Sequence, residues 1–140
     1  FEPTPEESLK EIEECLETIV KEIWYNLEHV ELFWRTMAIY GVLGLQANKK
    51  TKVKTLLIEV ADLVISKQYD YGPSNIVDSP FGAEVGVVVR LYDKVARMKN
   101  LTKSGRLPKN ESIEDTWRDI VGYSLIGIMF RQSKFLLPLA

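Results

Sequence analysis

Apolar residues recur along this chain at intervals of three and four, the spacing of one helix face. Leu9, Ile12, Leu16, Ile19, Ile23 and Leu27 form the first stripe, with Glu11, Glu14, Glu17 and Lys21 on the opposite side. Thr4-Pro5-Glu6-Glu7 precedes it and supplies a capping threonine, a proline at the first helical position and the glutamate of a capping box. A second stripe, Val30, Phe33, Trp34, Met37 and Tyr40, is expected to end near Gly41 and Gly44. A third helix should run from about Thr55 to Asp70, with Gly72-Pro73 as its stop. Ser79-Pro80 reads as the cap and first position of a fourth, which packs Val87, Val88, Leu91, Val95 and Met98 and ends near Asn100. The last runs from near Ser112 to about Arg131. Polar connections fall at Asn48 to Lys54, Gly72 to Ser79 and Thr102 to Asn110. Val85 to Leu91 is β-branched, but its neighbours are helical and no turn chemistry interrupts it. The expectation is an all-α bundle of about five helices in one domain, with an amino-terminal helical pair over 1–47 and the helices of a site over 55–131.

Composition changes this picture little. A chain of 140 residues suffices for one core, and its net charge of −2 gives no general attraction to duplex nucleic acid or to an anionic membrane. The most apolar stretch, Val30 to Leu45, is interrupted by Glu31 and Arg35, so no membrane span is expected. The single cysteine, Cys15, excludes an internal disulfide, fits a reducing cytoplasm and lies on an apolar flank where a buried thiol is expected. The chain opens on Phe1 rather than Met, which points to a processed or trimmed product. Trp24, Tyr25, Phe33 and Trp34 suit a helix pair buried on several sides, and a homodimer covering part of Trp24, Phe33 or Trp34 is expected. His29 has no other metal-ligand residue at suitable spacing and reads as structural.

The polar faces carry the chemistry. Glu59, Asp62, Ser66 and Asp70 share one ridge of the third helix, and Glu111, Asp115 and Asp119 share one of the last. Like charges at that spacing repel, so stability alone does not select them. Facing helices that offer carboxylates can hold a hard cation such as Mg²⁺. Arg90, Lys94 and Arg97 form a cationic ridge, with Asp93 at its edge, and together they suit a phosphate. The plainer alternatives are two solvated acidic faces and an Asp93–Arg97 ion pair. Lys67, Asp70, Tyr71 and Asn75 gather donors, acceptors and a ring at a helix end and the loop beyond it.

Three blocks then stand in order: Lys67 with Asp70-Tyr71-Gly72; Arg90 with Asp93-Lys94, Arg97 and Asn100-Leu101; and Glu111-Ser112 with Asp115-Thr116, Asp119 and Tyr123. They resemble the nucleotide modification associated domain 1 family of phages and bacteria, over roughly Glu59 to Met129. The resemblance implies a context of nucleotide or DNA-base metabolism in the cytoplasm, that of the host where a phage encodes the protein. It also carries a distant likeness to the all-α nucleoside triphosphate pyrophosphatases of the MazG type, which hold magnesium on a Glu-x-x-Glu helix and a Glu-x-x-Asp helix. Glu59-Val60-Ala61-Asp62 stands for the first here. The second reads Asp115-x-x-x-Asp119, a departure from that pattern.

These readings lead to a Mg²⁺-dependent pyrophosphohydrolase acting on a (deoxy)nucleoside triphosphate. Glu59, Asp62, Asp115 and Asp119 would hold metal and direct the attacking water. Lys67, Arg90, Lys94 and Arg97 would neutralise phosphates, with Asp70, Tyr71, Asn75 and Asp93 around the nucleotide. The alternatives are a protein that binds or sequesters a nucleotide without catalysis, and a helical interaction module using its amino-terminal aromatic helices.

Overall fold

The computed structural model describes residues 2–22, 29–72 and 74–135. Six helices follow one another: α1 Pro5–Glu22, α2 Val30–Lys49, α3 Val53–Tyr71, the single-turn α4 Ser74–Val77, α5 Ala83–Ser104 and α6 Ile113–Arg131. No strand occurs among the described residues, so the all-α expectation holds. The expected contributions of Ile23, Trp24, Tyr25 and Leu27 lie outside the described residues.

The helix starts follow the capping chemistry. Thr4 and Glu7 exchange backbone-to-side-chain hydrogen bonds, each of 3.1 Å, which closes the capping box of α1. Ser112 accepts the amide of Asp115 at 3.0 Å and caps α6. Ser79-Pro80 does not open α5. Phe81 and Gly82 take φ of +66° and +105°, which no helix accommodates, so α5 begins at Ala83 and Ser79-Pro80 sit in a turn before it. The stretch expected as a loop contains α4, closed by the amide of Asp78 on the carbonyl of Ser74 at 2.9 Å.

Gly41 and Gly44 do not end α2, which continues to Lys49. They are places of close approach: a Cβ on Gly44 would stand 2.5 Å from the Trp117 ring, and one on Gly41 would stand 2.9 Å from Val121. α2 therefore lies directly against α6, its most extensive partner, and α1 covers α2 on another side. Ile12, Ile19, Trp34, Met37, Leu45, Leu56, Leu91, Trp117 and Ile120 form the centre of the core. Trp34 is completely buried inside the subunit, which corrects its expected place at a dimer interface. His29 pairs with Glu22 and meets Phe33 edge-on, a structural role. α3 packs on α2 and α6 and leaves a cleft along its carboxy-terminal half, where α4, α5 and α6 converge.

Candidate functional site

The cleft measures about 380 Å³. Its wall is apolar: Val60, Leu63 and Val64 of α3, Ile76 of α4, and Gly122 and Ile126 of α6. These are the inward positions of amphipathic helices that do not quite close on one another. The polar lining is Lys67, Gln68, Tyr71, Asn75, Arg90, Arg118, Asp119 and Tyr123. Sites for small organic ligands commonly combine an apolar wall with a few convergent polar groups.

Asp119 is the hub of the polar side. Its Oδ2 receives Lys94 Nζ at 2.9 Å and its Oδ1 receives Lys67 Nζ at 3.4 Å. Lys94 also reaches Glu111 at 3.0 Å, so α5 meets the start and the second turn of α6 through one ammonium. Burial works against the Asp119 carboxylate, yet hydrogen bonds with Glu111 and Lys94 and the charges of Lys94 and Lys67 outweigh it and lower its pKa. Burial likewise opposes the Lys94 ammonium, and its bonds to Asp119 and Glu111 prevail and raise its pKa. Burial and the neighbouring Asp119 charge push the Tyr123 phenol up, so it stays neutral.

The expected residues divide. Lys67, Tyr71, Asn75, Arg90 and Asp119 line the cleft. Arg90, Asp93, Lys94 and Arg97 line a second cavity of about 300 Å³, and Arg90 and Tyr123 belong to the linings of both. Asp70 is exposed at the end of α3 and lines neither. The Asp93–Arg97 pair does not form: Arg97 instead bonds Thr116 Oγ1 and the carbonyl of Glu111.

The carboxylates expected around a metal are dispersed. Glu59 reaches Lys49 at 3.7 Å, Asp115 pairs with Arg118 at 2.9 Å, Asp62 is exposed, and Asp119 is held by lysines. Among the described residues no group of three or more His, Cys, Asp or Glu side chains is placed to hold a metal ion. The four-carboxylate set therefore does not fit a metal site in this arrangement. The reason is rotational: a shared ridge fixes which side chains are neighbours on one helix, but not which way that ridge faces across the bundle.

Sequence reasoning missed Gln68, Arg118, Tyr123 and the apolar wall as cleft residues. Tyr123 had a signal, since it continues the Glu111–Asp115–Asp119 ridge by another step of four. Arg118 gave none; its neighbours Glu114 and Asp115 mark it as an ordinary surface ion pair.

Residues 67–130 match the sequence model of the family described as nucleotide modification associated domain 1. That segment supplies eleven of the fourteen residues lining the cleft. No curated protein and no solved structure matches the chain.

Proposed function

We propose that the cleft between α3, α4, α5 and α6 binds a nucleotide. The observation that carries this reading is the coincidence of the cleft lining with the segment that matches the nucleotide-associated family. The apolar wall of Val60, Leu63, Val64 and Ile126 suits a base, and Tyr71, two-thirds exposed at the rim, offers a stacking ring. Gln68 and Asn75 offer amides to the base or sugar. Lys67 is the cation most readily surrendered to a phosphate: its side chain is half exposed, and its one ion pair among the described residues is long. Arg90 lines the same cleft and donates to the Asn75 carbonyl at 2.8 Å.

Calorimetric titration of the chain with nucleosides and nucleotides of each base, with and without Mg²⁺, tests the reading. Micromolar binding that requires a phosphate, weakened about tenfold in Lys67→Ala, is the expected result, one charge-assisted contact being worth roughly 1.4 kcal/mol or more. Absence of binding to every nucleotide would remove the proposal.

Catalytic pyrophosphate release is the second reading, carried by the position of Asp119 between the cleft wall and two lysines. The lowered pKa of Asp119 makes it a weak general base and favours the role of an anchor for those lysines. Assaying the same panel for pyrophosphate separates binding from hydrolysis.

A further inference from the structure

Four partly buried arginines are described, and they fall into two kinds. Arg118 faces Glu114 and Asp115, and Arg131 faces Glu84. Among the described residues Arg90 and Arg97 make their hydrogen bonds to neutral oxygens. Arg90 gives one N–H to the Asn75 carbonyl, and Arg97 gives two, to the Thr116 hydroxyl and the Glu111 carbonyl. No carboxylate makes an ion pair with either among the described residues.

Partly burying a guanidinium without a counter-charge is unfavourable, and a guanidinium has five donors, so both retain spare N–H groups. Lys94, beside them, is spent: its ammonium is shared between Glu111 and Asp119. Asp93, on the same cavity, is exposed and makes no ion pair among the described residues. The cavity therefore presents two guanidiniums that make no ion pair among the described residues, and one carboxylate, and it shares Arg90 and Tyr123 with the lining of the nucleotide cleft.

We propose that this second cavity is a separate oxyanion subsite, in which Arg90 and Arg97 hold the distal phosphates of a ligand whose base and sugar occupy the cleft. The ligand class is then a nucleoside di- or triphosphate, with Arg90 as the shared contact and Asp93 opposing the charge. This rests on the nucleotide reading of the cleft, but the subsite can be tested apart from it.

The experiment is calorimetric titration of the full chain with nucleoside mono-, di- and triphosphates and with inorganic tripolyphosphate. Affinity is expected to rise ten- to a hundredfold from mono- to triphosphate. Arg97→Ala should abolish most of that rise and leave the monophosphate affinity unchanged. Because Arg97 also ties α5 to the start of α6, Asp93→Asn serves as the second variant: it breaks no hydrogen bond and should strengthen triphosphate binding several-fold, with the monophosphate unaffected. Equal affinity for mono- and triphosphates, with Asp93→Asn neutral, would overturn the subsite and leave the cleft reading standing. Tripolyphosphate binding that Arg97→Ala weakens, with no preference for any nucleoside, would support the subsite while overturning the nucleotide reading.

Discussion

Trp34 donates its indole N–H to Glu84 across 2.8 Å, and so joins α2 to the first turn of α5. The same carboxylate receives Arg131 of α6 through two bonds, of 2.8 and 2.6 Å. Three helices thus meet at one largely buried carboxylate. Glu84→Ala removes it and should cost about 3 kcal/mol, the scale for breaking a buried ion pair. Glu84→Gln keeps an acceptor for Trp34 and should cost less. Urea denaturation of both variants, followed by tryptophan fluorescence, gives the comparison, and equal costs would assign the effect to the ion pair rather than to the indole bond.

The close contacts of α6 predict a second set of outcomes. A Cβ on Gly127 would overlap the Trp34 ring, and one on Gly44 would meet Trp117. Gly44→Ala and Gly127→Ala should each destabilise by roughly 1–3 kcal/mol, as overpacking does, despite the better helix propensity of alanine. Gly122 differs. Its added Cβ would stand 3.2 Å from Val64 at the cleft wall, so Gly122→Val should narrow the cleft and weaken nucleotide binding at least tenfold with a smaller loss of stability. Thermal melting alongside titration checks both, and a variant that melts normally and binds normally would place the ligand elsewhere.

The Asp119–Lys94 pair sets a pH window. The Asp119 carboxyl lies below its unfolded value of about 3.9, so its contribution is present above that pH and is lost as pH falls through the folded value. The Lys94 ammonium lies above its unfolded value of about 10.4, so its contribution is full below that pH and is lost as pH rises through the folded value. Stability from this pair should be flat between about pH 5 and 9. Asp119→Asn should lower that plateau and flatten part of the acid limb in denaturation curves taken from pH 2 to 7. An acid limb identical to that of the parent chain would assign acid sensitivity to other carboxylates.

Cys15 provides a probe of the amino-terminal helices. Burial first, then Glu11 and Glu14, push its thiol up to about 11. At pH 8 the thiolate fraction should fall about two orders of magnitude below that of a free cysteine, for which the ordinary value is about 8.5. Alkylation by iodoacetamide should be correspondingly slow in the folded protein and normal in urea. Rapid labelling of the native chain would show that α1 opens readily.

Much of the fold was legible in the sequence because it rests on local physics. Apolar spacing of three and four gives α1, α2 and α5 their faces, and Thr4–Glu7 and Ser112 close helix starts with side chains only three residues away. The match over residues 67–130 agrees with the order of the Lys67, Arg90 and Asp119 blocks. What the sequence could not decide is rotation and approach across the bundle. Gly41 and Gly44 look like a helix stop along the chain, and only the ring of Trp117 and the side chain of Val121 explain them as contact points inside α2. Asp119, Asp115 and Glu59 look alike as ridge carboxylates, but the turn of each helix gives them different partners: lysines of α5 and α3 for Asp119, Arg118 for Asp115, and Lys49 for Glu59. The same holds for the cations. Arg90, Lys94 and Arg97 form one ridge in sequence, and tertiary packing alone commits Lys94 to carboxylates while leaving Arg90 and Arg97 facing neutral oxygens, because charge compensation depends on what the neighbouring helix presents.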